Sequence, residues 1–202
     1  MKKIFVQLIC RHCLYRTHKE SETLILPDIE KDIKKALLEE TYFTARCPQC
    51  GHIIEFLHPC LYVDKKHNYM LYIKSKKDWN YDDHLKFDDE ITRRRYVFEY
   101  KKIAEKIRIF DDGFDDCVME LLKLKLISHL MIKHDIIDNV IYRDVDLNTK
   151  TLWFDVNINQ IEQQVAVMCS SYVSTQNQFV KDINEAFIEI DESWAKRVVD
   201  HK

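Results

Sequence analysis

The chain holds only two glycines and three prolines in 202 residues. Two glycines are too few for the Gly-rich loops that cradle phosphates, which excludes the P-loop, the dinucleotide-binding turn and the kinase loop. The metalloprotease pattern H-E-x-x-H and the nucleophile elbow are also missing. Neither sign of charge dominates. Thirty-one Lys and Arg against 34 Asp and Glu leave a net charge of −3, which argues against a chain that coats nucleic acid or anionic lipid along its whole length. No apolar run approaches the roughly 20 residues that span a bilayer. The first ten residues begin like a secretory leader, but Arg11, His12 and Arg16 cut the apolar stretch short. A soluble, cytoplasmic protein without membrane association is the expectation.

Hydrophobic residues at 46% and aromatics at 11% suffice for a packed core, so disorder over the whole chain is excluded. Charge falls in blocks. Residues 61–77 carry five Lys against one Asp, 78–90 six acids against one Lys, and 91–109 seven bases against two acids. Such blocks read first as solvated helix faces and turns.

Periodicity gives a coarse map. Residues 3–10 read as a strand entering the first cysteine pair, and 24–26 as a short extended piece. Pro27-Asp28 then punctuates. Ile29, Ile33, Ala36 and Leu37 form one face of a helix, with Asp28 as its N-cap. Residues 42–46, 53–56, 61–63 and 69–73 read as strands, with 64–68 as a polar hairpin turn. From about Arg94 the period changes, and Tyr96, Tyr100, Ile103, Ile107 and Phe110 make a helical stripe ended by Asp111-Asp112-Gly113. A second helix runs from Asp115 to about Ile132. Residues 140–147 and 151–156 flank Asn148-Thr149-Lys150 as a hairpin, 157–163 form a loop, 164–169 a third strand, and 175–199 a helical tail.

The chemistry sits in the cysteines. Two of the pairs among Cys10, Cys13, Cys47, Cys50, Cys60, Cys117 and Cys169 have C-x-x-C spacing, the vocabulary of metal or redox sites. Cys10-Arg11-His12-Cys13 and Cys47-Pro48-Gln49-Cys50 would aim four thiolates at one point, the tetrahedral shell that Zn²⁺ favours. Pro48 presets its turn, and Gly51 admits positive φ after it. The long interval between the pairs is a weak objection, because loop closure costs only about 0.6 kcal/mol per doubling of length. A structural Zn²⁺ contributes on the order of 10–16 kcal/mol. A thioredoxin-like couple fits less well, since it needs one such pair at a helix N-terminus. His12 and His52 abut the pairs and stay open as replacement ligands.

Other candidates have bland readings. Cys60, Cys117 and Cys169 read as buried thiols acting as small hydrophobes. The carboxylates of residues 111–116 lack the spread of a calcium loop and read as a joint between helices, with Asp115 as N-cap. Residues 78–90, with Trp79 and Tyr81, resemble an exposed loop for a partner. Arg93, Arg94 and Arg95 with nearby tyrosines offer phosphate and base contacts.

Cys47-Pro48-Gln49-Cys50-Gly51-His52, after a helical insertion and before Leu61-Tyr62-Val63-Asp64 and Met70-Leu71-Tyr72, resembles the CpXC domain. That bacterial and archaeal family is named for its Cys-Pro-x-Cys motif and has no established biochemical function. The likeness extends over residues 6–130 if Glu105–Phe110 and Asp115-Asp116 belong to it; Arg11-His12 departs from the family's usual first pair. The resemblance implies a zinc ribbon on a larger α+β body and no particular reaction. The expected fold is α+β: a zinc ribbon with a helical insertion, antiparallel strands and a helical C-terminal half. Residues 1–77 are the ribbon and β-hairpin part, 78–132 the acidic loop and two helices, and 133–202 a β-hairpin and C-terminal helix. The leading functional expectation is a structural Zn²⁺ at Cys10, Cys13, Cys47 and Cys50 in a protein that binds a protein partner, with no catalytic residue or further cofactor. Nucleic-acid binding, through the ribbon with residues 65–77 and 93–95, stands second. An enzyme with an unrecognised site stands third.

Overall fold

The computed structural model describes residues 3–76, 91–133, 136–179 and 188–200. The chain forms two compact units, one of Met1–Ala104 with Asn184–Ile188, the other of Glu105–Ile183 with Glu189–Lys202. The architecture is mixed α+β, with eleven strands and five helices among the described residues.

The first unit begins with an antiparallel hairpin, β1 (Lys3–Ile9) and β2 (Arg16–Glu22). β2 has no counterpart in the sequence reading. Its Arg-Thr-His-Lys-Glu-Ser-Glu alternates correctly, but the positions facing inward are Thr17, Lys19 and Ser21, so hydrophobicity does not betray it. After β3 (Leu24–Ile25) comes α1 (Lys31–Leu38). Its N-cap is Glu30 and not Asp28, and the Glu30 carboxylate accepts the Leu26 N–H at 2.9 Å instead of an N–H of the helix. Ile29 therefore lies outside the helix and is exposed. A second hairpin, β4 (Thr44–Arg46) and β5 (Ile53–Glu55), follows.

β6 (Cys60–Asp64), β7 (Tyr69–Ile73) and β8 (Arg93–Val97) join β3 in a sheet of order β3-β6-β7-β8. β6 and β7 are antiparallel, as the turn at 65–68 requires. The pairs β3–β6 and β7–β8 are parallel, which corrects the all-antiparallel expectation. β7 is buried at all five positions, as suits a strand paired on both sides within a covered sheet. Tyr96 lies on β8 and not on a helix. Its four-residue distance from Tyr100 mimics a helical stripe, whereas burial of Arg95 and Val97 marks a strand inner face.

The two hairpins are tied together by polar groups. Lys19 Nζ on β2 donates to the carbonyls of Tyr42 and Thr44 at 2.6 and 2.8 Å. Tyr42 donates its hydroxyl proton to Glu22 at 2.7 Å, and its oxygen lies 2.9 Å from Ser21 Oγ. His58 Nε2 reaches the same Ser21 at 2.7 Å.

The second unit is not simply helical. Helix α2 (Tyr100–Asp111) contributes to both units, and α3 (Asp116–Leu130) belongs to the second. The sheet β11-β10-β9 is built from β9 (Ile137–Asp146), β10 (Thr151–Ile158) and β11 (Ile161–Met168). The loop expected at 157–163 shrinks to Asn159-Gln160, both at positive φ (50° and 67°), a two-residue hairpin turn. α4 (Cys169–Phe179) and α5 (Glu192–Asp200) form the tail, and the part of the expected tail helix at 180–187 lies outside the described residues. The core joins Met119, Leu122 and Leu126 of α3 to Tyr142, Leu152, Phe154 and Val156 of the sheet.

α2 and α3 are also registered by buried charge. Lys106 reaches Asp116 at 3.0 Å, and Lys123 reaches Glu105 and Glu120 at 2.9 and 3.1 Å. Burial opposes both ammonium charges, but the carboxylates outweigh it and hold both pKa values above the ordinary range. Removing one partner would strand a buried charge.

His58 gives the first unit a pH dependence. Burial disfavours its imidazolium, so its folded pKa lies below the ordinary value of 6.5. The unfolded chain takes up this proton first, so stability is fully present above about pH 6.5 and declines as pH falls through that window. Urea unfolding at about pH 7.5 and pH 5.5 should therefore show a loss on acidification that His58→Gln reduces. An unchanged pH difference in the variant would contradict this.

Candidate metal centre

The two hairpins end in the same turn. β1 pairs with β2 up to Ile9 and Arg16, leaving residues 10–15 as the connection, and β4 pairs with β5 up to Arg46 and Ile53, leaving 47–52. In the first turn the Cys10 N–H donates to the Tyr15 carbonyl (2.9 Å) and the Cys10 carbonyl accepts from Leu14 (2.8 Å). In the second, the Cys47 N–H donates to His52 (2.8 Å) and the Cys47 carbonyl accepts from Gly51 (2.9 Å). The fifth residue of each turn is left-handed, Leu14 at φ 60° and Gly51 at φ 73°. Arg11-His12 thus changes the chemistry of the first turn and not its course.

This repetition brings the four sulfurs together. Cys10 Sγ lies 3.6 Å from Cys50 Sγ, and Cys13 Sγ lies 3.6 Å from Cys47 Sγ. All four lie within 4.8 Å of one another. The short distances run between turns, and all four thiols are free. A tetrahedral centre with metal–sulfur bonds of about 2.3 Å has sulfur–sulfur edges of about 3.8 Å. The cluster therefore fits a metal ion with little movement, and four sulfurs would complete the shell.

Backbone N–H groups prepare the thiolates. Those of Cys13 and His12 point at Cys10 and lower its thiol pKa. Burial opposes ionisation of Cys47, yet the N–H groups of Cys50 and Gln49 bring it down to about 7. Cys13 and Cys50 accept N–H groups from Tyr15 and His52, but burial together with contacts from other cluster thiols keeps both raised, Cys13 to about 12. Without a cation the four sulfurs resist ionising together, and a divalent ion removes that resistance.

His12 and His52 stack on each other, ring centroids 5.5 Å apart and planes 18° apart, and both are exposed. Leu8, Cys10, Cys47 and Ile54 make a small core beneath the cluster. Sequence reasoning missed Lys19, and read Leu14, standing where the second pair has Gly51, as a departure from that turn's geometry. The signal for Leu14 was its spacing, four residues after Cys10 as Gly51 is after Cys47. Lys19 gave none.

The remaining candidates fall elsewhere. Cys60 and Cys117 are buried, and Cys169 is partly buried. Asp115 caps α3 by accepting the N–H groups of Cys117 and Val118, Asp116 pairs with Lys106, and Asp112 accepts the Tyr142 hydroxyl at 2.7 Å. Arg95 is 2% exposed, so Arg93, Arg94 and Arg95 do not form one open cationic patch. Lys74 of the 65–77 stretch is also buried, 4.4 Å from the Tyr96 ring centroid. Residues 77 and 78–90 lie outside the described residues.

A family model described as "CpXC protein" matches residues 8–123, more than half of the chain and all four clustered cysteines. The chain belongs to the CpXC family. No curated protein and no solved structure matches it. Within this CpXC chain the match runs through α2 into α3, close to the 6–130 suggested by the sequence, and leaves β9, β10, β11, α4 and α5 outside. No helix among the described residues is long and apolar enough to cross a membrane.

The matched turns make a specific prediction. Leu14 sits where an L side chain is disfavoured, while no neighbouring atom lies within 4 Å of a Cβ built on Gly51, so φ alone sets the cost there. Leu14→Gly should stabilise the hairpins by about 1 kcal/mol and Gly51→Ala should destabilise them by about 1 kcal/mol. Thermal unfolding checks both, and equal effects of like sign would refute the equivalence of the turns.

Proposed function

We propose that Cys10, Cys13, Cys47 and Cys50 hold one structural Zn²⁺ and that β1–β2 and β4–β5 together form a zinc ribbon. The convergence of four sulfurs from two like turns, with 3.6 Å between cross-turn partners, carries this reading. Four thiolates fill a tetrahedral shell and leave no position for water or substrate, so the ion supplies folding energy and no Lewis-acid step. The protein is then a binding module whose metal fixes the shape of its surface.

The need for a metal follows from size. A two-stranded hairpin alone is marginal in water, and the shared core beneath these turns has four buried residues. Structural zinc adds on the order of 10–16 kcal/mol. The exposed trailing cysteine, Cys50, gives a chelator access.

The purified chain should contain one zinc per molecule. Removing it with a chelator should release amide-exchange protection in residues 3–22 and 44–55 while that of β10 persists. Cys47→Ser should mimic metal removal and Cys60→Ser should not. Protection of both hairpins unchanged in a demonstrably metal-free sample would sink the proposal.

A further inference from the structure

The stretches 3–19 and 44–54 contain no Asp or Glu, in a chain where 34 of 202 residues are acidic. They hold Lys3, Arg11, Arg16, Lys19 and Arg46. Two of these cations are engaged: Lys3 pairs with Glu20 at 2.7 Å, and Lys19 donates to backbone carbonyls. Arg11 lies inside the first cysteine turn, Arg16 follows it on β2, and Arg46 precedes the second. All three are exposed and make no ion pair among the described residues; Arg46 contacts the Gly51 carbonyl at 3.3 Å.

Aromatic rings accompany the arginines. The outer face of β1–β2 sets Ile9 opposite Arg16, Gln7 opposite His18 and Phe5 opposite Glu20, whose carboxylate is taken by Lys3. All but Glu20 and Lys3 line, with Leu8 and Thr17, a shallow groove of about 780 Å³. Phe5 is 69% exposed and meets His18 edge to face, with centroids 5.4 Å apart. Tyr15, in the first turn, is 42% exposed.

We propose that the exposed surface of the two hairpins binds single-stranded nucleic acid, the arginines taking phosphates and Phe5 and Tyr15 stacking on bases. Charge complementarity selects a polyanion, and guanidinium forks match phosphate oxygens. Exposed rings select unpaired bases, whose faces a duplex hides and an acidic peptide lacks. The inference rests on the zinc-ribbon reading, because the metal keeps the two turns together. It reverses the order in which sequence alone ranks protein and nucleic-acid partners, since the cations that matter surround the cysteines and not residues 93–95.

The test uses the full chain, with zinc content measured on the same sample, and a fluorescein-labelled oligothymidylate of about ten nucleotides. Three phosphate contacts predict a slope of about −2 for log K against log salt, so affinity falls on the order of twentyfold between about 50 and 200 mM. Each of Arg11→Ala, Arg16→Ala and Arg46→Ala should reduce the slope by about 0.7. Phe5→Ala or Tyr15→Ala should weaken binding roughly five- to hundredfold with the slope unchanged. No binding by zinc-loaded protein at low salt overturns the inference and leaves the metal reading standing. Absence of zinc from a folded sample removes the metal reading, whatever the oligonucleotide does. Equal competition by polyglutamate, by anionic phosphatidylserine vesicles or by duplex of the same length overturns the choice of partner. Arginine or aromatic variants without effect overturn the assigned surface.

Discussion

Everything in the first hairpins depends on one backbone turn used twice. It places a cysteine at its first and fourth residues, aims their N–H neighbours at the sulfurs, and turns left-handed at its fifth residue. Two such turns facing each other put four sulfurs within 4.8 Å. That is an unfavourable arrangement for four thiolates alone and a favourable one around a divalent cation. Lys19, Tyr42, Ser21 and His58 hold the roots of the hairpins by direct hydrogen bonds, while the four cysteines meet at their tips.

The second unit solves its packing differently. Its three-stranded sheet lies on a leucine-rich α3, and the charges that face α2 from α3 are paired and buried. Of the carboxylates at 111–116, Asp115 caps α3, Asp116 pairs with Lys106, and Asp112 accepts the Tyr142 hydroxyl. Acidic density there lies at the junction of two helices.

Much of this was legible in sequence where hydrophobic period or residue chemistry was strong. The cysteine spacing, the turn around Gly51, the β6–β7 hairpin and the Asp115 cap all read directly. β2 was invisible because its inward residues are polar and are satisfied by tertiary hydrogen bonds. Tyr96 was misread because a strand residue four positions before a helix imitates that helix. The parallel pairings of β3 with β6 and of β7 with β8 leave no local signature, since they join segments distant in sequence. The sequence names the ribbon with residues 65–77 and 93–95 as a nucleic-acid surface, but Arg11, Arg16 and Arg46 are scattered in sequence and form no run of their own.

X-ray absorption at the metal edge tests the central claim most directly, because it counts the ligands of the bound ion. The account predicts four sulfur neighbours at about 2.3 Å and none lighter. A shell with a nitrogen or oxygen neighbour at about 2.0–2.1 Å, from His12, His52 or water, would contradict a closed four-thiolate clamp.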